Sequence, residues 1–471
     1  MQEIDNLDLC IKFILYNSEN NKLFSQRFSI DSRRINKGQV FVSLHPDIKK
    51  NKLNIKDALR NGATGFITPF KIFRKDIKVL TPYLIIENIN KLSISLLKND
   101  LTKLRHQPVL IGITGTNGKT STSLLLAQAL SYHGKKVGLI CSEGNGIYPD
   151  LKTSGYTTPP IDINYRLIFK YTQKKCDYII IESSSQGIDQ GRIEGIKFTY
   201  AIITNIDQDH LEYHKSLKNY VNTKLSILHQ SKTAIVNYDS VHLKKITQSK
   251  YSLKNLYFIS QKKISNKKGL NINSPLYKNK YNSFNHYSIK MISAVMWLEK
   301  FKKPLILRSI DNLTPLKGRR QIINTSKKGS FIIDYAHTVD AYKNIYKDFA
   351  SNKKITTLFG CGGDRDKSKR MTTAKVVDNH STHVIITKDN SRTEKFEIIC
   401  RDILKGIKNK IKVVIIPSRK KAIHFLLKTS SANQINFILG KGNEDFILEN
   451  NKKIKHNDII YLNKIIRKYG Y

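Results

Sequence analysis

Val109-Leu110-Ile111-Gly112-Ile113-Thr114-Gly115-Thr116-Asn117-Gly118-Lys119-Thr120-Ser121 is the stretch on which the reading of this chain turns. An apolar, β-branched run passes through a glycine-bearing turn into a helical pattern over 121–133, so a buried strand, a loop and a helix are predicted in that order. In such a loop the glycines let backbone N–H groups turn toward a phosphate. The helix N-terminus adds the positive end of its dipole, and Lys119 supplies a mobile cation for the outer phosphates. Gly115, Thr116, Asn117, Gly118, Lys119, Thr120 and Ser121 are therefore read as a nucleotide cradle, with the Thr120 hydroxyl placed for Mg²⁺. The spacing departs from the common P-loop, whose first glycine would fall at Ile113.

Outward from this loop, Val137–Cys141, 178–181 and 200–204 read as further strands alternating with helices. That alternation predicts an α/β fold with a parallel or mixed sheet covered on both faces. Before it, residues 1–105 read as a small α/β unit. It has a strand at 40–44, a helix over 55–59 capped at Asn61-Gly62, and a strand Gly65–Thr68 stopped by Pro69. The lysine- and asparagine-rich stretch 251–281 reads as surface strands and loops without a functional role. From Lys317-Gly318 a third, Rossmann-like α/β unit begins, with strands at 331–334, 356–360, 383–387, 412–416 and 436–440. The expected domains are 1–105, 106–316 and 317–471, in keeping with about three domains for 471 residues at roughly 150 each.

Composition narrows the function classes. The formal net charge is +44, from 81 Lys+Arg against 37 Asp+Glu. Such an excess ordinarily raises nucleic-acid binding. Here 64 of the cations are Lys and 17 are Arg, spread along the chain with no arginine-rich arm. Lys, Asn and Ile all have AT-rich codons, so a biased genome accounts for the excess, and no nucleic-acid partner is expected. Five scattered cysteines without a CxxC pair fit a reducing compartment. With no apolar run of membrane length, and Met1–Asp5 lacking a basic-then-apolar start, a cytoplasmic chain off the membrane is expected.

Several strand-end residues could carry chemistry. Glu182 closes 178–182 and is a candidate Mg²⁺ ligand; His210 follows the 200–204 strand and could hold a metal or a phosphate. Tyr220 to Lys224 reads as a helix start, in which Lys224 is an ordinary solvated lysine. In the third unit, Asp334-Tyr335-Ala336-His337, Gly360 to Lys367, Asp389-Asn390-Ser391-Arg392 and Gly440 to Asp445 each follow a strand. Ligands bind at the carboxyl ends of such strands, and four charged loops at one edge suit a polar, zwitterionic ligand.

Taken together and in order, these motifs resemble the Mur ligases, the ATP-dependent amide-forming enzymes of peptidoglycan precursor synthesis. The likeness runs from about Asp31 to Asp458. It points to the branch that adds the third amino acid to UDP-N-acetylmuramoyl-L-alanyl-D-glutamate through an acyl phosphate. By resemblance, Ile30, Ser32 and Arg33 contact the uridine-diphosphate end, and Thr157, Thr158, Ser184, Gln190 and Arg192 hold the muramyl dipeptide. Asn285, Arg319 and Asp334 touch the nucleotide. Lys119, Lys224, Glu182 and His210 form the catalytic centre, with Thr120, Glu182, His210 and Lys224 around Mg²⁺. The resemblance makes Lys224 a carbamylated lysine, a cation turned into an oxygen ligand for a hard metal. Arg365, Asp389, Asn390, Ser391, Arg392, Gly440 and Glu444 fall on the amino-acid site. Arg392 favours meso-diaminopimelate, whose distal carboxylate L-lysine lacks, because an unpaired buried arginine penalises lysine.

The implied partners are therefore small molecules (the UDP-linked dipeptide, meso-diaminopimelate and ATP), with Mg²⁺ as cofactor and a monomer expected. The competing readings are an L-lysine-adding ligase and a basic P-loop nucleic-acid binder. The sequence departs from the family pattern at Gln186 and Asn443, where His is usual, at Tyr156 and Ser391, where Asn and Pro are usual, and in the glycine-free 45–50 loop.

Overall fold

The computed structural model describes residues 2–19, 23–72, 81–244, 246, 249–260, 286–349 and 353–471. The chain forms two compact units, 1–111 with 135–199 and 112–134 with 200–471.

In the first unit, strands β1 (Phe28–Ser29), β2 (Val40–Val42), β3 (Gly65–Thr68) and β4 (Tyr83–Ile85) form a parallel sheet in that order. Phe41, Ile55, Ala58 and Phe66 fill one core beside it. The helix Ile48–Arg60 starts seven residues before the predicted 55, because Asp47 accepts from the Lys50 N–H and satisfies a free amide of the first turn. The glycine-free 45–50 loop is thus largely a helix start.

Strand β5 (Val109–Thr114) begins in this unit and ends in the other, as does β10 (Phe198–Ile203). The first unit also carries β6 (Val137–Cys141), β7 (Gly144–Ile147), β8 (Asp150–Lys152) and β9 (Tyr178–Glu182), in the order β9-β6-β7-β8. β6 and β9 are parallel, whereas β6-β7 and β7-β8 are antiparallel, so the sheet is mixed.

In the second unit, β10, β11 (Ser231–Asn237) and β12 (Asn255–Ile259) follow β5 in the order β12-β11-β10-β5. Of the stretch read as surface strands and loops, 255–259 is a strand, and 261–281 lies outside the described residues. The helix after β5 spans Lys119–Ser131, two residues earlier than predicted, and buries Leu125, Leu126 and Leu130. A six-stranded sheet follows: β13 (Gln321–Thr325), β14 (Gly329–Asp334), β15 (Lys354–Phe359), β16 (His383–Ile386), β17 (Val413–Ile415) and β18 (Gln434–Leu439). Its order is β13-β14-β18-β15-β16-β17, parallel except for β13-β14. Phe331 and Ile333 of β14 enter one apolar cluster and Ile332 the other, the period-2 signature of a strand covered on both faces. Each such buried side chain contributes about 1.5–3 kcal/mol. A hairpin of β19 (Phe446–Glu449) and β20 (Lys452–Lys455) follows.

A buried ion pair ties the last helix, Asp458–Tyr469, to this sheet. Arg419 donates from Nε and Nη2 to the Asp458 carboxylate at 2.8 and 2.7 Å, and from Nη2 to the Leu439 carbonyl at 3.0 Å. His456 Nε2 lies 2.7 Å from the same carboxylate. Removing one partner of such a pair costs about 3–5 kcal/mol.

The fold is α/β throughout. Its three main sheets fall within 28–85, 109–259 and 321–439.

Candidate active site

In the second unit, the loop after β5 is held from behind by residues 204–207. The Thr116 amide donates to the Asn205 carbonyl and the Asn117 amide to Asn205 Oδ1, both at 2.9 Å. Gly115 has φ +150°, and a Cβ there would lie 1.9 Å from Thr204 Oγ1, so glycine is required by this close approach. Lys119 Nζ donates to the carbonyls of Gly115 and Thr116 at 2.9 and 3.0 Å. Thr120 is buried in the first turn of the helix, with Ser121 half-buried beside it.

Lys224 joins the same loop. It is 1% exposed, its Nζ donates to the Gly115 carbonyl at 2.7 Å, and it lies 4.8 Å from the Tyr220 ring centroid. The reading of Lys224 as a solvated lysine at a helix start is corrected twice. It is buried, and it stands in the last turn of the helix Leu217–Leu225. Tyr220 and Thr116 share a hydroxyl–hydroxyl bond of 2.8 Å, which anchors that helix to the phosphate loop.

His210 has a left-handed backbone (φ +50°) just before the short helix Leu211–His214. Its Nδ1 lies 3.4 Å from Glu212 Oε1 and its Nε2 3.5 Å from Asp209 Oδ2. Burial pushes His210 down to about 4 against the pull of these two carboxylates, so the imidazole is neutral near pH 7. Asp209 itself is held below the usual carboxylate range. Burial opposes this, but His337, His210 and Lys369 outweigh it, and Lys369 Nζ donates directly to Asp209. Asp207, pressed by burial and by Asp340, is pushed up to about 6.

Among the described residues, no group of three His, Cys, Asp or Glu side chains is placed to hold a metal ion. The donors the second unit does offer are a buried threonine hydroxyl and a neutral imidazole. Mg²⁺ takes few protein ligands and completes its shell with phosphate oxygens and water, so these residues fit it.

Around the remaining nucleotide candidates, the Arg319 guanidinium lies 4.3 Å from the Tyr335 ring centroid. Asp334 Oδ2 accepts from the Arg320 amide at 2.8 Å, and burial pushes its carboxyl up against the pull of Arg320 and Arg319. Asn285 lies outside the described residues.

The four loops read as one edge do meet, because β14, β18, β15 and β16 are parallel and end together. Asn390 Nδ2 donates to Glu444 at 3.1 Å, Tyr335 OH to Glu444 at 3.2 Å, and the buried Lys441 Nζ to Asn390 Oδ1 at 2.8 Å and to Glu444. Gly440 has φ +109°, and a Cβ there would strike Asp389 Oδ2 at 2.4 Å. Ser391 is buried, and Arg392 Nη1 donates to the Gly363 carbonyl at 2.6 Å. Burial and Arg365 both disfavour the charge on Arg392, and the two side chains border one glycine: a Cβ at Gly362 would lie 3.0 Å from Arg392 Nη1 and 3.7 Å from Arg365 Cγ. Arg365 Nη1 reaches Glu212 Oε1 at 3.3 Å. Lys441 lies in the charged Gly440 to Asp445 loop, but its burial is not legible in that pattern.

The first unit collects the other candidates. The Ser142 amide donates to Glu182 Oε2 at 2.9 Å, and Thr158 Oγ1 to the Glu182 carbonyl at 2.8 Å. Ser142 Oγ donates to Thr157 Oγ1, and the Ser184 amide to Thr158 Oγ1, both at 2.9 Å. Arg192 Nη1 donates to the Thr158 carbonyl at 2.7 Å, while its Nε and Nη2 donate to Gln190 Oε1 at 2.9 and 2.6 Å. Thr157, Thr158, Ser184, Gln190, Arg192 and Glu182 thus form one hydrogen-bonded group. Ile30, Ser32 and Arg33 lie on the turn after β1, where the Asp31 carboxylate caps the Arg33 amide. The bonded Arg33 side chain holds Asp31 below the usual carboxylate range. Arg34, unmarked in the sequence, donates to the Tyr156 hydroxyl at 2.7 Å.

Known proteins are similar to this chain in sequence and in fold. A family model described as Mur ligase middle domain matches residues 113–296, and one described as Mur ligase, glutamate ligase domain, matches 318–442. A protein of Wigglesworthia glossinidia brevipalpis named UDP-N-acetylmuramoyl-L-alanyl-D-glutamate--2,6-diaminopimelate ligase is 32% identical over 95% of this chain and 96% of its own length. A solved structure of a ligase of that name is 26% identical, with a TM-score of 0.62 over 94% of this chain and 95% of the other. MurF ligase from Thermotoga maritima in complex with ADP, at 16% identity and a TM-score of 0.60 over 95% and 99% of the two chains, shares the fold. The chain belongs to the Mur ligase family.

Proposed function

We propose that this protein is the ATP-dependent ligase that joins meso-2,6-diaminopimelate to UDP-N-acetylmuramoyl-L-alanyl-D-glutamate. The observation that carries the amino-acid choice is that Arg392 and Arg365 border the same glycine, Gly362, at the edge of the C-terminal sheet. Two neighbouring guanidiniums are stabilised by a shared carboxylate, which diaminopimelate brings on its distal carbon and L-lysine does not. The carboxylates of Glu444 and Asp389 on the same edge supply the opposite charge for an ammonium group.

The γ-phosphoryl group of ATP passes to the D-glutamyl γ-carboxylate, giving an acyl phosphate and ADP. The diaminopimelate amine then attacks the carbonyl carbon, its C–O bond to phosphate breaks, inorganic phosphate leaves, and the amine proton passes to solvent. Lys119 and the amides of Gly118, Lys119 and Thr120 at the start of the helix hold the phosphates in line and offset the charge that develops on them. Mg²⁺, when bound, neutralises the β- and γ-phosphate oxygens. Thr120, His210, Glu182 and Lys224, as its carbamate, would hold it. Arg319 and Asp334, with Asn285, would touch the nucleotide. Residues 1–105 would serve the UDP end, 106–316 ATP and 317–471 the amino acid, in a cytoplasmic monomer.

The test is phosphate release by the purified protein with the UDP-linked dipeptide, ATP and each amino acid in turn. Turnover with meso-diaminopimelate and little with L-lysine is expected. Turnover with L-lysine alone overturns the substrate, and no precursor-dependent turnover overturns the activity.

A further inference from the structure

Tyr156 stands where the family usually carries asparagine, and its surroundings in the first unit give it a role. The Arg34 guanidinium lies 5.5 Å from the ring centroid and the Arg192 guanidinium 5.8 Å, so one ring attracts two cations. The phenol oxygen accepts from Arg34 Nη2 at 2.7 Å. Two like charges held this near one another repel, and the ring face offsets only part of that.

The donors are not used up. Arg192 spends three of its five N–H groups on Gln190 and the Thr158 carbonyl. Arg34 spends one on Tyr156, while its Nε stays 3.5 Å from Asp31. The Tyr156 side chain is partly open to solvent, at 39% exposure for the residue. The buried Asp162, 1% exposed, interacts electrostatically with Arg34: burial pushes its carboxyl up, and Arg166, the Ile163 amide and Arg34 oppose this. The cluster adjoins Thr157 and Thr158 in sequence and bonds to Thr158 through Arg192.

We propose that Arg34, Tyr156 and Arg192 form an oxyanion subsite for the nucleotide-linked acid, with Tyr156 holding two guanidiniums ready for a diphosphate or a carboxylate of that substrate. The proposal rests on the function given above and adds Arg34 and Tyr156 to the residues that would bind the precursor. Tyr156 acts as a positioning residue for the two arginines, and Arg34 as a direct contact.

Calorimetric titration of UDP and of UDP-N-acetylmuramoyl-L-alanyl-D-glutamate into the full-length protein and its Tyr156→Ala, Tyr156→Phe and Arg34→Ala variants tests this, with steady-state kinetics alongside. Tyr156→Ala and Arg34→Ala are each expected to weaken precursor binding about tenfold, and to raise its KM to match, as two cation–π contacts and a charged hydrogen bond are lost. Tyr156→Phe keeps the ring and loses only the hydroxyl, so about threefold is expected. The KM-specific change, with kcat and the KM values for ATP and diaminopimelate within about twofold, separates this role from a loss of fold. If UDP weakens in parallel, the subsite takes the diphosphate; if only the full precursor weakens, it takes a carboxylate. Unchanged precursor affinity in Tyr156→Ala and Arg34→Ala overturns the proposal, as does a common shift of all kinetic constants. Failure of the wild-type protein to bind the precursor overturns the function itself.

Discussion

At the phosphate loop, Lys119 and Lys224 both donate to the Gly115 carbonyl, and neighbouring amides are locked by Asn205. At the edge of the C-terminal sheet, the buried Lys441 donates to Glu444, and Asn390 and Tyr335 converge on the same carboxylate. Both places bury lysine, but a carbonyl offers only a dipole, whereas a carboxylate offers a full charge. The first arrangement sets Lys119 on the loop that would hold a polyanion. The second balances its charges internally and then sets Arg392 beside Arg365, which suits a ligand carrying both signs. On the proposed function, the kind of acceptor, rather than the number of cations, would separate the loop that takes phosphate from the edge that takes the amino acid.

The sharpest way to break that contrast is Lys119→Ala. If the loop's field acts on the transferring phosphoryl group, kcat falls by about 10²–10³-fold while diaminopimelate binding is kept. A loss confined to the KM for ATP would mean that Lys119 only binds ground-state nucleotide. Next comes Arg392→Ala, which removes a charged bond from the amino-acid edge. The KM for meso-diaminopimelate should rise by about 10–100-fold, with ATP binding unaltered. Equal losses for diaminopimelate and L-lysine would show that Arg392 does not read the distal carboxylate.

The smallest effect concerns Asp207, behind the phosphate loop. Its folded-state carboxyl is pushed up to about 6, above the ordinary aspartate value, so the folded chain holds this proton more tightly than the unfolded one. The stability this contributes is complete below about pH 4 and is lost as pH rises through about 6. Asp207→Asn should therefore raise the Tm at pH 8 by about 2–4 °C and flatten the pH dependence of Tm between those limits. An unaltered pH profile would remove Asp207 from the electrostatics of the loop.

Much of this was legible in the sequence because it is local. β5, β6 and β3 match the predicted runs residue for residue, since continuous apolar stretches bounded by glycine or proline leave little choice. The β7–β8 hairpin was not foreseen, because Gly144-Asn145-Gly146 has no alternating apolar face. The helix Ile48–Arg60 was read short because lysine and asparagine mask its apolar stripe. The site divides in the same way. The phosphate loop announces itself by contiguous residues. Lys224 sits 109 residues from the carbonyl it meets, and Arg34 sits 122 residues from Tyr156. No local pattern encodes such pairs, and only the resemblance placed Lys224. The family motifs could not mark Arg34–Tyr156, because Tyr156 departs from them.

The C-terminal sheet also has a consequence for how the protein is made. Its central strand, β18, is the last of its six to be synthesised, and it inserts between β14 and β15. Arg419 must wait longer still, because the carboxylate that neutralises it is at Asp458. While the chain is leaving the ribosome, β14 and β15 therefore lack their shared neighbour and Arg419 its counter-charge. This region closes only after Asp458 has emerged, so among the described sheets it is the last to be completed.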